Sequence, residues 1–217
     1  MSIAKNQIIL AASLLAAMVI GVAFGMITSQ QQKSTLRELQ PTLKAATLYP
    51  EDFRPLAAFL LTDHNGLPFD NNRLQGGWSL VFFGYTYCPD VCPMTMQTLQ
   101  VIKEEISAQP EIAAPRVVFV SVDPERDTAE RLKQYVTFFG PDFTGVSGDH
   151  ENLHSLTASL GVFYSKSENP QQPDRYQVDH SASLFLFGPD GRIRALFSAP
   201  LQAGTIAQDL VTIIKHG

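Results

Sequence analysis

Two short runs, Trp78 to Gly84 (WSLVFFG) and Arg116 to Val122 (RVVFVSV), do most to limit how this chain can fold. A strand with one face in water alternates apolar and polar residues. One that is apolar at both parities must be covered on both faces, so helices or loops have to lie above and below the sheet. The segments around these runs supply that cover. Pro93 to Ser107 reads as a helix with proline at its first position, Asp127 to Phe139 is helical, and Asp149 can cap a further helix to Leu160. Upstream, Phe59 to Phe69 holds Asn65-Gly66 between apolar runs, the chemistry of a two-residue hairpin turn. Downstream, Ser183 to Phe197 reads as a hairpin around Pro189-Asp190-Gly191, and Thr205 to Lys215 as a closing helix. Strands alternating with helices, then an antiparallel hairpin and a last helix, predict an α/β fold with a central mixed sheet flanked by helices.

That order of elements is thioredoxin-like. At 45% hydrophobic and 17% charged, the chain has too much apolar material for a disordered polymer, and two cysteines are too few for a scaffold held by disulfides. A net charge of −5 gives no positive field for a phosphate backbone, which excludes nucleic acid as a partner. The apolar residues are also unevenly spread, since Ile8 to Ile27 is a run of 20 residues without a charge. As a helix it would span about 30 Å, the hydrocarbon thickness of a bilayer. A cleaved secretory signal is the alternative, with Lys5 before the run and Ala23-Phe24-Gly25 as a cleavage site, but the run exceeds the usual signal core. The expected organisation is a cytoplasmic tail over 1–7, a transmembrane anchor over 8–27, a tether over 28–50 and one domain over 51–217. Both readings of the run export that domain.

Both cysteines lie in Tyr85-Thr86-Tyr87-Cys88-Pro89-Asp90-Val91-Cys92-Pro93, between the end of a buried strand and the start of a helix. There the unpaired N–H groups and the positive end of the helix dipole favour thiolate over thiol. A plain disulfide is one reading, although a bridge that closes so short a loop contributes little through chain entropy. The other is a metal site. Two thiolates suit a soft ion such as Cu(I), and an imidazole would complete a three-coordinate site that also tolerates Cu(II). Of His64, His150, His154, His180 and His216, only His180 falls where a thioredoxin-type sheet brings a loop to face the cysteines, just before the strand from Ser183.

The cysteine motif, together with Val120-Ser121-Val122-Asp123-Pro124-Glu125-Arg126-Asp127-Thr128 and Val178-Asp179-His180-Ser181-Ala182, resembles the three signatures of the Sco/SenC family. These are membrane-anchored, thioredoxin-fold copper proteins that assist assembly of the dinuclear copper centre of cytochrome c oxidase. The likeness runs from about Tyr49 to the C-terminus and includes the anchor. It implies that Cys88, Cys92 and His180 are copper ligands, with Asp123 a nearby carboxylate of open role. It further implies a periplasmic domain held to the inner membrane. The implied partners are the copper-accepting subunit of cytochrome c oxidase and other periplasmic copper carriers or thiol-disulfide proteins. Gly188 departs from the family, which often has Asp there, but it lies on a turn away from every ligand.

His150-Glu151-Asn152-Leu153-His154 spells H-E-x-x-H, the zinc-protease signature. A working zinc site needs both imidazoles on one buried helix face and a third ligand, whereas Gly148-Asp149 starts the helix immediately before His150 and exposes the motif. Two functions remain. As a copper carrier the chain would need no catalytic residue. As a thiol-disulfide oxidoreductase it would use Cys88 and Cys92 to reduce a client's cysteines. The C-x₃-C spacing, and His180 where redox enzymes of this fold place a cis-proline, favour the carrier.

Overall fold

The structure is a computed structural model and describes residues 18–22, 38–167 and 176–217. Its strands are β1 (Ala46–Leu48), β2 (Leu60–Asp63), β3 (Pro68–Asp70), β4 (Ser79–Gly84), β5 (Arg116–Ser121), β6 (Thr144–Ser147), β7 (Tyr164–Ser167), β8 (Gln177–His180), β9 (Leu184–Phe187) and β10 (Ile193–Phe197). The helices are α1 (Val91–Ser107), α2 (Ala129–Phe139), α3 (His150–Leu160) and α4 (Ala203–His216). Eight strands form one mixed sheet in the order β1-β10-β9-β4-β5-β6-β2-β3, and β7 and β8 make a separate antiparallel ribbon. The expected α/β fold with a central mixed sheet is the one observed.

The sheet centre is where the apolar runs put it. Every residue of β4 is buried, and β4 pairs in parallel with β5 through Phe82↔Phe119 and Gly84↔Ser121. On its other side β4 pairs antiparallel with β9, with Phe82 opposite Leu184. This register matters for the site, because it brings the residues just before β9 to the carboxyl end of β4, where the chain turns into α1. Helix α1 buries Cys92, Thr95, Met96, Leu99, Ile102 and Ile106, a three-and-four spacing that keeps one face inward against α4 and α2. Helix α3 is capped as expected by the Asp149 carboxylate, which accepts from the Asn152 amide at 2.8 Å.

Four details differ from the sequence reading. The turn at Asn65-Gly66 is not a two-residue type I′ turn, since only Gly66 has a positive φ (81°). The Asp63 carboxylate accepts from the amides of Asn65 and Leu67 at 2.8 and 2.9 Å, which fixes a three-residue loop with glycine in the left-handed position. Helix α1 starts at Val91, so Pro93 is its third residue and Cys92 its second; proline is tolerated there because the first amides of a helix have no intrahelical acceptor. Helix α2 starts after a Thr128 cap rather than at Asp127, whose side chain is engaged elsewhere. Finally, β1 lies inside the stretch expected to be tether. It pairs with β10, and the Asp209 carboxylate accepts from the amides of Lys44, Ala45 and Ala46. The folded unit therefore takes in residues before Glu51.

The expected tail over 1–7, and the expected anchor over 8–27 apart from the helical residues 18–22, lie outside the described residues. Among the described residues no helix is long and apolar enough to cross a membrane.

Candidate metal centre

The centre is assembled at the carboxyl end of β4. Gly84 ends the strand, and the backbone then passes through buried Tyr85 and Thr86 before reaching Cys88. Thr86 is fixed from outside the loop. Its amide and hydroxyl both donate to the Asp127 carboxylate, at 2.9 and 2.6 Å, and the Ser121 hydroxyl donates to the same carboxylate at 2.6 Å. Burial pushes the Asp127 carboxyl above its ordinary range, against these three donors, which favour the charged form. Cys88 is half-buried and Cys92 fully buried, and both are free thiols.

Helix α1 supplies the electrostatics that its start at Val91 implies. The side chain of its N-cap, Asp90, makes no capping bond; instead the Cys92 amide donates to the Cys88 sulfur at 3.4 Å. A sulfur in that position receives the unpaired amides and the positive end of the dipole, and both favour its thiolate. The two sulfurs titrate as a pair. The Cys88 thiol is held down at about 4, first by the hydrogen bond from Cys92 and then, against the cost of its burial, by the amides of Asp90 and Cys92. The Cys92 thiol is pushed up, because it supplies the shared proton and because it is buried.

The third group comes from β8. His180 is the last residue of that strand, not a loop residue as expected, and it leads through three residues into β9. Its Nε2 lies 3.1 Å from the Cys92 sulfur. Its Nδ1 lies 3.3 Å from the Ser181 carbonyl oxygen, which can only accept; in the tautomer that donates there, the Nε2 lone pair faces the sulfurs. Edge-on packing against Tyr85 and Phe82, with ring centroids 5.8 and 6.0 Å away, sets the ring's plane. The donor atoms of Cys88, Cys92 and His180 all lie within 4.8 Å of one another, and among the described residues they form the only such group of three. Two soft sulfurs and one imidazole nitrogen form a donor set that fits copper.

The other histidines are elsewhere. His64 accepts from the Gly145 amide at the β2–β3 hairpin, His150 contacts Glu125 at 2.9 Å, and His154 and His216 are exposed on α3 and α4. Glu151 is exposed as well, so the H-E-x-x-H spelling sits on an open helix start. Asp123 does not join the ligand group. It is buried and accepts from the Arg126 Nε at 2.6 Å and from the Tyr176 hydroxyl at 2.5 Å. Sequence reasoning missed Thr86, Asp127, Arg126 and Tyr176. The first three fall inside the quoted motifs and could have been marked from them, whereas Tyr176 carries no local signal.

Comparison with known proteins accords with this geometry. The family model described as SCO1/SenC matches residues 50–215. The chain belongs to the SCO1/SenC family. It is 33% identical over 163 residues to a putative copper-binding protein of Stutzerimonas stutzeri, covering 75% of this chain and 78% of that one. It is 34% identical over 157 residues to the mitochondrial SCO1 homolog of Homo sapiens, covering 72% of this chain and 52% of the human protein, so it spans about half of that relative. The copper-bound structure of ScoI from Arabidopsis thaliana superposes with a TM-score of 0.70 at 29% identity, covering 76% of this SCO1/SenC chain and all of the other.

Proposed function

We propose that this protein binds one copper ion through Cys88, Cys92 and His180 and delivers it to the dinuclear copper centre of cytochrome c oxidase during assembly. The observation that carries the reading is the convergence of two sulfurs and one imidazole nitrogen within 4.8 Å, drawn from segments 88 residues apart in the chain. The family and its copper-bound members support the metal. Delivery, the oxidase client and the setting are proposals that rest on the family resemblance. In that setting residues 8–27 anchor the chain in the inner membrane and the domain faces the periplasm.

The geometry suits release as well as capture. Cys92 is fully buried and in contact with His180, while Cys88 is half-exposed at the start of α1. An incoming ligand can therefore reach the metal from the Cys88 side by exchange, without unfolding the site. One observation favours a second activity at the same place. A half-buried sulfur with a pKa of about 4 beside a fully buried sulfur that keeps its proton is also the asymmetry used in thiol-disulfide exchange, so reduction of a client's cysteines stands as the alternative.

His180→Ala separates the two, since disulfide exchange needs no imidazole. The variant is expected to lose Cu(II) binding most, to weaken Cu(I) less, and to fail in rescuing an oxidase-deficient strain, while its cysteines still oxidise and reduce reversibly. Full rescue at native expression by a variant that binds no Cu(II) would overturn the carrier reading in favour of the oxidoreductase.

A further inference from the structure

The two halves of the centre come from separate parts of the chain, and residues 121–127, from the end of β5 towards α2, hold both of them. On the cysteine side, Asp127 accepts from the Thr86 amide and hydroxyl, two residues before Cys88. On the histidine side, Asp123 accepts from the hydroxyl of Tyr176, the residue that leads into β8 and so to His180. The Ser121 hydroxyl links the two sides, donating to Asp127 at 2.6 Å and accepting from the Asp123 amide at 3.1 Å. Arg126 completes the bracket. Its Nε donates to Asp123, its Nη1 donates to the Tyr176 carbonyl at 3.1 Å, and its guanidinium lies 3.5 Å from the Tyr176 ring centroid and 5.6 Å from that of Tyr85. Tyr85 is the ring that packs edge-on against His180.

We propose that Asp123, Arg126 and Tyr176 are positioning residues for the copper centre, setting how firmly His180 is held against the two thiolates. The proposal gives Asp123 the role the sequence left open, and it deepens the copper reading on which it rests. Three arguments support it. First, β8 is only four residues long and, among the described residues, pairs only with β7, so its own ladder holds His180 weakly. Second, the bracket is buried: Asp123 is 1% exposed and Tyr176 8%, so hydrogen bonds to the charged carboxylate there are not screened by water. Third, residues that orient a metal ligand from behind act on affinity without touching the metal.

Tyr176→Phe removes one hydroxyl and leaves the ring between Arg126 and Lys166, whose Nζ lies 3.7 Å from its centroid. It is expected to lower Cu(II) affinity roughly tenfold and shift the Cu(II)–thiolate charge-transfer band, with Cu(I) affinity within about threefold of wild type. In copper-free protein, the His180 imidazole should become more mobile by NMR relaxation and the amides of Val178 and His180 should exchange faster. Asp123→Asn should act in the same direction. Ser167→Ala is the control for a merely structural role, because Ser167 bonds Gln177 at the far end of the same ribbon. It should leave the Cu(II)-to-Cu(I) affinity ratio unchanged. Equal losses of both copper states in Tyr176→Phe, or His180 mobility equal to wild type, would overturn the proposal. Wild-type protein that took up no copper would sink the proposed function instead, and the copper-free relaxation data would still decide the bracket.

Discussion

Gly84 is the position at which a single methyl group should reach the metal centre without touching a ligand's chemistry. A Cβ built there would stand 2.8 Å from the Cys92 sulfur, 2.9 Å from Phe119 Cε2 and 3.2 Å from Phe82 Cε1. Carbon contacts in packed interiors lie at about 3.5–4.0 Å, so each neighbour would have to retreat by roughly 0.5–1 Å. The backbone cannot take up the shift, since Gly84 pairs with Ser121 in the parallel ladder and its carbonyl accepts from the Val122 amide at 2.9 Å. Phe82 and Phe119 are fully buried in the sheet core, and Phe82 also packs against the His180 ring. The sulfur must therefore move, and it starts 3.1 Å from His180. Overpacking of this kind costs about 1–3 kcal/mol, and the same displacement at a ligand atom should lower copper affinity by at least about tenfold. The assay is thermal unfolding of Gly84→Ala with and without copper, alongside competitive Cu(I) and Cu(II) titrations. Cys92→Ala in the same background shows where the strain resides, because removing the sulfur should recover part of the stability lost to the methyl group. If Gly84→Ala unfolds at the wild-type temperature and binds copper as wild type does, the argument from close approach is wrong.

The asymmetry of the thiols makes a kinetic prediction: iodoacetamide should modify Cys88 first, at a rate that persists from neutral pH down to about pH 5 and falls as pH drops through about 4, where the thiolate is protonated. Quenched mass spectrometry of the two peptides reads this directly, and preferential labelling of Cys92 would contradict the assignment of the shared proton. Replacing His150 and His154 together by Ala should leave copper affinity and oxidase rescue unchanged, because both side chains are exposed and His150 hydrogen-bonds Glu125 rather than a ligand. A stoichiometric bound zinc lost in that double variant would show that the H-E-x-x-H spelling does carry a site.

Much of this was legible in the sequence for reasons that can be located. WSLVFFG and RVVFVSV announce strands covered on both faces because burial, not propensity, sets their composition, and they became the adjacent central strands β4 and β5. The Asp149 cap was readable because its acceptor and donor are three residues apart. The missed elements have no such local cause. The start of β1 is held by Asp209, which accepts from Ala46 and from the two residues before it, more than 160 positions away. In β8, Gln177-Val178-Asp179-His180 shows one apolar residue and no useful alternation, and in β6 Thr144-Gly145-Val146-Ser147 shows little more. The ligand types and two of their three local settings could be read. The bracket that orients them could not, because the Asp123–Tyr176 and Thr86–Asp127 bonds join residues 53 and 41 positions apart.

The early start of α1 changes how the C-x₃-C spacing should be understood. With Cys92 as the second helical residue, its amide points out of the helix end and meets the Cys88 sulfur, so one cysteine supplies the dipole that tunes the other. The helix fixes Cys92, whose sulfur sits against His180 and beneath Gly84, while Cys88 lies outside it in the turn closed by its own amide to the Tyr85 carbonyl at 3.3 Å. One sulfur is thus held by a helix, a strand end and an imidazole, the other by a short loop. In the proposed transfer the bond to Cys88 is the one an incoming thiolate can replace first, since that sulfur is the more accessible. In that proposal Cys92 and His180 would hold the metal until the acceptor has a second ligand in place. The proposed order of release follows from where each sulfur stands relative to the first turn of α1, which the proline at position 93 marks but does not begin.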